Sequence, residues 1–382
     1  MAADETEFVF NDTCIDPWQE NASVSCSYHA SDNIYEEISF YVYLYKVTTP
    51  VLFALIILTG LVGNSLVIFV TLTQQKMRTS VNLFLLNLAF SDLTFLVICV
   101  PFMAYHYAAE NWLIGEAACK LSQYILYVTV YVTAYTLVSI SVARFLHIVC
   151  AQREVRTRGF IGGLVGAIWV AMLTVNVPIL LIYRVKQFPP GIAAEPYYYC
   201  GMDAPEVHGR RLFLSFFVLT YLAPLTTIAT MYLLILRYLN RKQRRSSIRL
   251  QRKATTTSTV GEAGTRSGRA TRRNSHATRI SIAIVVVFGM CWLPLNIHLL
   301  IAYYGVQPAS RSYEVFRLLC HVFAYSNSCM NPFIYHYVST DFRQSLRNML
   351  PTCFRRSRTE LWQPETVLRY MTRQGETREW TQ

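Results

Sequence analysis

Charge is what this 382-residue sequence has least of: Asp, Glu, Lys and Arg make up 15% of it, against about a quarter in soluble domains. With 53% hydrophobic and 14% aromatic residues, the balance excludes an ordinary soluble domain and points to a membrane protein. Lys and Arg are missing from residues 1–45, which hold nine acids, whereas residues 241–279 hold twelve Lys or Arg and one acid, Glu262. The net charge of +12 is therefore concentrated in one loop rather than spread over a nucleic-acid-binding surface, and no nucleic-acid partner is expected.

Other absences exclude further classes. Ten cysteines are too few for a disulfide scaffold in a chain of this length. Cys99, Cys291, Cys320 and Cys329 lie inside apolar runs as small hydrophobes; among the other six, Cys14, Cys26, Cys119 and Cys200 are candidates for pairing outside. No H-E-x-x-H motif, paired histidine box or Ser, His and acid set shared by the apolar runs is present, so the chain does not read as an enzyme. Residues 313–338 contain no lysine, which excludes a retinal Schiff base in that run. The absence of repeats and of a path of intramembrane charges argues against a transporter or channel. The N-terminus "MAADETEFVF" has neither a basic region nor an early apolar core, so no cleavable signal is expected and the first apolar run should start translocation itself.

What the sequence does have is long apolar runs. Crossing a hydrocarbon core of about 30 Å takes roughly twenty apolar residues, and seven runs qualify: 47–74, 82–107, 117–149, 159–184, 210–238, 279–304 and 313–338. Each should be helical, because lipid offers no partner to unpaired backbone groups. Lys76 and Arg78, then Arg153, Arg156 and Arg158, then the basic loop, then Arg343, Arg347, Arg355 and Arg356 fall on one face, as a cytoplasmic side requires. The acidic N-terminus is then outside, together with sequons at Asn11 and Asn21 that would be glycosylated there.

The expected organisation is an all-α membrane protein, a seven-helix transmembrane bundle at residues 46–340. A glycosylated outer tail (1–45) precedes it, and a short amphipathic helix (341–353) and an inner tail (354–382) follow. The loop 241–278 is polar, rich in small residues and expected to be disordered in its middle. "DFRQSLRNML" puts Phe342, Leu346, Met349 and Leu350 on one side and arginines on another, suiting a helix on the inner lipid surface beside a palmitoylation candidate, Cys353.

Polar residues inside the runs each need a reason, since an ionisable group costs a few kcal/mol in lipid. Asp92 lies in an otherwise uncharged run, and Asn64, Thr133, Asn327, Ser328 and Asn331 supply polar groups that could converge on it to hold a small cation or a hydrogen-bonded network. Prolines at 101, 178, 224, 294 and 332 each remove a helical hydrogen bond and favour a kink. Arg317 and His321 are four residues apart, on one helical face, and suit a ligand carboxylate, amide or aromatic edge if they face the bundle. Asn296, His298 and Tyr303 add polar and aromatic surface near the outer end of the sixth run.

In chain order, "GNSLV" with Asn64, "NLAFSD" with Asp92, Cys119, Arg144, Trp169, Pro224 with Tyr232, "CWLP" with Trp292 and Pro294, and "NPFIY" with Asn331, Pro332 and Tyr335 resemble the rhodopsin-like G-protein-coupled receptors. Within them, the third run together with "FRLLCHVFAYSNSCMNP" is most similar to receptors for allatostatin-A and galanin peptides. Leu126 stands where amine receptors of the family carry an aspartate, and residues 117–149 hold no acid, which argues against a monoamine ligand.

The resemblance implies an outer Cys119–Cys200 disulfide beside the tyrosines of "EPYYYC" and a peptide pocket using Phe316, Arg317 and His321, with Asn296, Tyr303 and Gln123 as further contacts. It implies a sodium ion at the Asp92 cluster and no other cofactor or metal. Trp292, Phe288 and Pro294, with Pro332, Tyr335 and Tyr232, would act as activation switches, and Ala143, Arg144 and Phe145 would meet a heterotrimeric G protein of the inhibitory class. Arrestin, receptor kinases acting on Ser275 or the "ATTTST" run, and membrane lipid are the other partners implied. Kisspeptin-like or somatostatin and allatostatin-C-like peptides are the alternative ligands. One departure stands out: relatives read D-R-Y or E-R-Y where this chain reads Ala143-Arg144-Phe145, which removes the acid that restrains the arginine and implies raised ligand-free activity.

Overall fold

The computed structural model describes residues 39–77, 80–109, 111–152, 157–187, 197–254, 263–305 and 310–349. The expectations for Asn11, Asn21, Cys14, Cys26, Cys353 and the tail 354–382 lie outside them.

Seven long helices form the bundle: α1 (Ser39–Thr73), α2 (Asn82–Ala108), α3 (Gly115–Ile148), α4 (Arg158–Ile182), α5 (Glu206–Arg245), α6 (Ile280–Tyr304) and α7 (Arg311–Val338). The first six are long and apolar enough to cross a membrane. α7 has the length, but Arg317, His321, Asn327, Ser328, Asn331 and His336 dilute its apolar character, and its polar residues turn inward: Asn327, Ser328 and Asn331 are all buried. A short helix, α8, covers residues 340–349 and buries Phe342 and Met349, with Leu346 packed beside them.

α3 is the central strut, with 67% of its apolar window inside the bundle, whereas α4 with 17% lies at the periphery. Helix-helix contact is close where side chains are absent. A Cβ built at Gly63 of α1 would lie 2.8 Å from the Pro332 ring of α7, and one at Gly60 would lie 2.4 Å from Leu96 of α2.

The prolines leave the expected local marks in three of five cases. Pro101 and Pro224 lie two residues after the ends of the π-helical turns Phe95–Cys99 and Phe217–Leu222, and Pro178 follows a break at Asn176. A proline lacks its N–H and crowds the carbonyl four residues earlier, so the preceding turn widens. Pro294 and Pro332 are held inside continuous helices.

Three expectations change. The fourth span ends at Ile182, because Tyr183–Gln187 forms strand β1 and pairs antiparallel with β2 (Tyr198–Met202), Val185 opposite Cys200. α3 begins at Gly115 and so includes an acid, Glu116, which pairs at its exposed end with Lys120 at 2.5 Å. The basic loop is more helical than its composition suggested. The helix carrying α5 runs on to Ala254, and the one carrying α6 starts at Ala263. Arg, Lys, Gln and Ala are good helix formers, so a helix already nucleated in the bundle propagates through them.

Candidate functional site

Polar groups concentrate at three levels of the bundle. At one end the β1–β2 hairpin is tied to α3 by the Cys119–Cys200 disulfide. The backbone N–H of Trp112 donates to Tyr198 O at 2.8 Å, and that of Tyr198 donates to Asn111 Oδ1 at 2.7 Å. The hairpin is thereby stapled across the bundle mouth, with Tyr197, Tyr198 and Tyr199 next to Tyr105, His106 and Trp112.

Below this mouth, α7 meets α1, α2 and α6. Arg317 pairs with Glu314 at 2.7 Å and donates to the Tyr45 hydroxyl at 2.7 Å, while the same hydroxyl donates to Glu314. The guanidinium also lies over the rings of Tyr45 and Tyr107, 5.8 and 5.9 Å from their centroids, a favourable place for a cation. Arg317 is thus held in a mixed ionic and aromatic cage. His321, one turn on, donates from Nδ1 to Arg317 O at 2.9 Å and lies 3.1 Å from the Tyr107 hydroxyl. His298 of α6 contacts the Tyr313 hydroxyl at 3.2 Å and packs its ring on Phe316 and His321.

The sequence thus indicated Phe316, Arg317 and His321 but missed Glu314, Tyr45, Tyr107 and Tyr313 as members of the same cluster. Glu314 was legible in principle, three residues before Arg317 on one helical face. The other predicted contacts are more dispersed. Asn296 is buried and donates to Trp292 O at 2.8 Å, Tyr303 stacks on Phe213 of α5 at 3.9 Å, and Gln123 lies 3.9 Å from Met103 Sδ.

The middle level contains Asp92, 2% exposed, which accepts from Asn331 Nδ2 at 2.8 Å. Asn64 bridges α1 to α7 by donating to Ser328 O at 2.8 Å, and its Oδ1 is buried without a hydrogen-bond partner among the described residues. Ser91, which the sequence reading did not single out, joins α2 to α3 through Thr129 O and Thr133 Oγ1. Asn327 and Ser328 are buried at the same depth on α7. These carboxylate, amide and hydroxyl oxygens are the donor set a hard monovalent cation takes. One turn before Ser91, Asn87 donates to Thr136 and accepts from the Trp169 indole, both at 2.8 Å, binding α2, α3 and α4 together. On α6, Phe288 and Trp292 pack with ring centroids 6.1 Å apart, both buried, and on α5 the Tyr232 hydroxyl is buried without a hydrogen-bond partner among the described residues.

At the opposite end Arg144 is 8% exposed, its Nε has no hydrogen-bond partner, and no ion pair reaches it among the described residues. Ala143 and Phe145 flank it, half-buried. The Tyr335 hydroxyl is likewise buried and unpartnered.

Residues 63–335 match the family model described as 7 transmembrane receptor (rhodopsin family). The chain is 34% identical to galanin receptor type 2 of Rattus norvegicus over 79% of this chain and 76% of that one. It is 30% identical to the allatostatin-A receptor of Bombyx mori over 92% and 91%, and 34% identical to the KiSS-1 receptor of Mus musculus over 81% and 76%.

Proposed function

Because the chain belongs to the rhodopsin family of seven-transmembrane receptors, a family of signalling receptors and not enzymes, we propose that it is a plasma-membrane receptor for an extracellular peptide of the galanin and allatostatin-A type. In this reading the disulfide end faces outside and the Arg144 end faces the cytoplasm.

The observation that carries the reading is the cage around Arg317. A charged side chain held among Tyr45, Tyr107, His321 and Phe316 beneath a tethered, tyrosine-rich hairpin offers a peptide both aromatic anchors and hydrogen-bonding ends. Relatives named for galanin and allatostatin-A support the choice of ligand group. The KiSS-1 receptor match favours a kisspeptin-like ligand as second reading.

Bound peptide shifts the receptor only by its preference for one arrangement of the bundle. Trp292, Phe288 and Pro294 couple the ligand level to α6. Asn331, Pro332 and Tyr335 with Tyr232 couple it to the inner end. A sodium ion held by Asp92 and its neighbours favours the resting arrangement. Opening at the inner end exposes Arg144 and Phe145 to a heterotrimeric G protein of the inhibitory class, and Ala143 leaves the arginine unrestrained, which raises the basal rate. Arrestin and receptor kinases act at the same inner face, and lipid covers the apolar outer faces.

The test is surface expression with a G-protein readout against galanin, allatostatin-A, kisspeptin and somatostatin or allatostatin-C peptides. The reading expects the most potent response from the first two, abolished by pertussis toxin. Responses confined to kisspeptin would transfer the receptor to the second reading. Silence toward all four at normal surface abundance would refute both.

A further inference from the structure

An apolar groove of about 670 Å³ runs between α5 and α6 on the lipid-facing surface of the bundle, within the roughly 300 to 1,000 Å³ of pockets that hold small ligands. Leu225, Ala229, Leu233 and Leu236 line one wall and Val286 and Met290 the other, and apart from Tyr221 and Tyr232 every lining residue is apolar. Leu233, Leu236, Val286 and Met290 are exposed, so the groove opens toward lipid. Gly289 widens it: a Cβ built there would still be 3.7 Å from Leu225. Near the groove's far end the Tyr221 hydroxyl donates to Gly289 O at 3.0 Å and ties the two helices together. From Tyr221 to Leu236 the wall is about 22 Å long at 1.5 Å per residue, more than the roughly 15 Å depth of one leaflet.

Where the groove ends, charge begins. Arg237 stands one turn past Leu233, and Arg241, Lys242, Arg244 and Arg245 follow on the same unbroken helix. Arg237, Arg241 and Arg244 are spaced i, i+4, i+7 and share one helical face. All five side chains are exposed, and none has an ion pair or hydrogen bond among the described residues. No acid lies on α5 after Glu206. The occupant must therefore be apolar along the groove and anionic at its charged end. A sterol would fill the groove and leave the cations unanswered. A second copy packed symmetrically on this face would bring its own five cations against these.

We propose that the α5–α6 groove holds one anionic phospholipid with a multiply phosphorylated headgroup, an acyl chain lying along Leu225, Ala229, Leu233 and Leu236 and the phosphates on Arg237, Arg241 and Arg244. Guanidinium forks meet phosphate oxygens two at a time, which a single lysine cannot do. A basic cluster immediately past a spanning helix attracts such headgroups, each Lys or Arg strengthening binding roughly fivefold. The groove adds what a charged patch alone lacks, a fixed place for the chain, so binding depends on both halves of the lipid. That the headgroup lies in the cytoplasmic leaflet rests on the orientation proposed above; occupation of the groove does not.

The experiment is run without peptide or G protein. The full-length receptor, purified in detergent, is titrated with dioleoyl phosphatidylinositol bisphosphate, dioleoyl phosphatidylcholine or soluble inositol trisphosphate, and bound molecules are counted by native mass spectrometry. The bisphosphate lipid is expected to bind roughly tenfold tighter than phosphatidylcholine, and than the soluble headgroup, which has no chain for the groove. Arg237→Gln with Arg241→Gln should bring it close to phosphatidylcholine, whereas Arg237→Lys with Arg241→Lys keeps most of the preference. Ala229→Phe, which fills the groove from an exposed position, should weaken both lipids. Lipid-free thermal midpoints identify any variant that fails to fold, and Val286→Phe on the opposite wall then replaces Ala229→Phe. Equal binding of the two lipids, or a preference that the glutamine pair leaves untouched, overturns the proposal. So does trisphosphate binding as tightly as the lipid and undiminished by Ala229→Phe, which reduces the site to a phosphate patch, or displacement of the lipid by cholesterol regardless of the glutamine pair, which gives the groove to a sterol. If peptides prove inactive but the lipid pattern holds, the ligand reading fails and this one stands.

Discussion

Glu314 and Arg317 lie one turn apart on α7 and share a third partner from another helix, the Tyr45 hydroxyl of α1, which donates to the carboxylate and accepts from the guanidinium. The cluster is a donor and an acceptor side by side with no net charge. A ligand group with both characters, such as a carboxamide, can engage both; a carboxylate meets repulsion from Glu314 along with attraction from Arg317. Glu314→Gln is expected to cost at most about 1 kcal/mol of stability, because the pair is about a third exposed. It should also improve binding of a peptide ending in a free carboxylate relative to its amide by roughly tenfold, the worth of one such charge contact. Competition binding with the two peptide forms reads this directly, and an unchanged ratio places the ligand terminus elsewhere.

Gly63 abuts the Pro332 ring closely enough that a Cβ there would approach it to 2.8 Å. The ring cannot rotate away, so Gly63→Ala must push α1 from α7 and strain the Asn64 bridge to Ser328 O. The expected cost is about 1 to 3 kcal/mol, read as a lowered thermal midpoint. Gly60→Ala should cost less, since the nearest atom it meets is the end of the Leu96 side chain, which can turn aside, and Cys329 Sγ lies farther off at 3.1 Å. Equal losses at the two positions would contradict the rigid-ring argument.

Most of the bundle was legible because membrane solvation makes long apolar runs unambiguous, and six of the seven spans meet length and hydropathy requirements. What escaped depended on partners far apart in sequence. No local pattern announces that Tyr45 and Arg317, 272 residues apart, hydrogen-bond to each other. Tyr183 directly follows the apolar run of α4, and pairing of Tyr183–Gln187 with Tyr198–Met202, anchored by the disulfide, takes the chain out of the helix there. Glu314 went unseen for another reason: the polar spot was assembled from cations and histidines, while the carboxylate that neutralises it lies one turn earlier.

The Asp92 pocket makes a salt-specific prediction. If sodium binds there and favours the resting arrangement, replacing NaCl by an equal concentration of a large organic chloride should raise agonist affinity in the native receptor. Asp92→Asn removes the charge that offsets dehydration of the ion and keeps a group able to face Asn331. Its agonist affinity should no longer depend on sodium, and should sit near the sodium-free native value. A sodium effect that persists undiminished in the variant would remove Asp92 from the ion site.

Arg144 is the strongest case of a buried charge without a counter-charge among the described residues. The residue before it, Ala143, has no group with which to hold it. Restoring an acid in Ala143→Asp gives the resting state a charge-assisted contact worth about 1 to 3 kcal/mol, or roughly fivefold to more than a hundredfold in population. Ligand-free nucleotide exchange should fall by a factor in that range, and the thermal midpoint should rise in parallel because the same contact relieves an unpaired buried cation. Both are measured in membranes matched for surface receptor. A higher midpoint with unchanged basal exchange would show that Ala143 lowers stability alone; unchanged values of both would mean that Arg144 finds its partner in water.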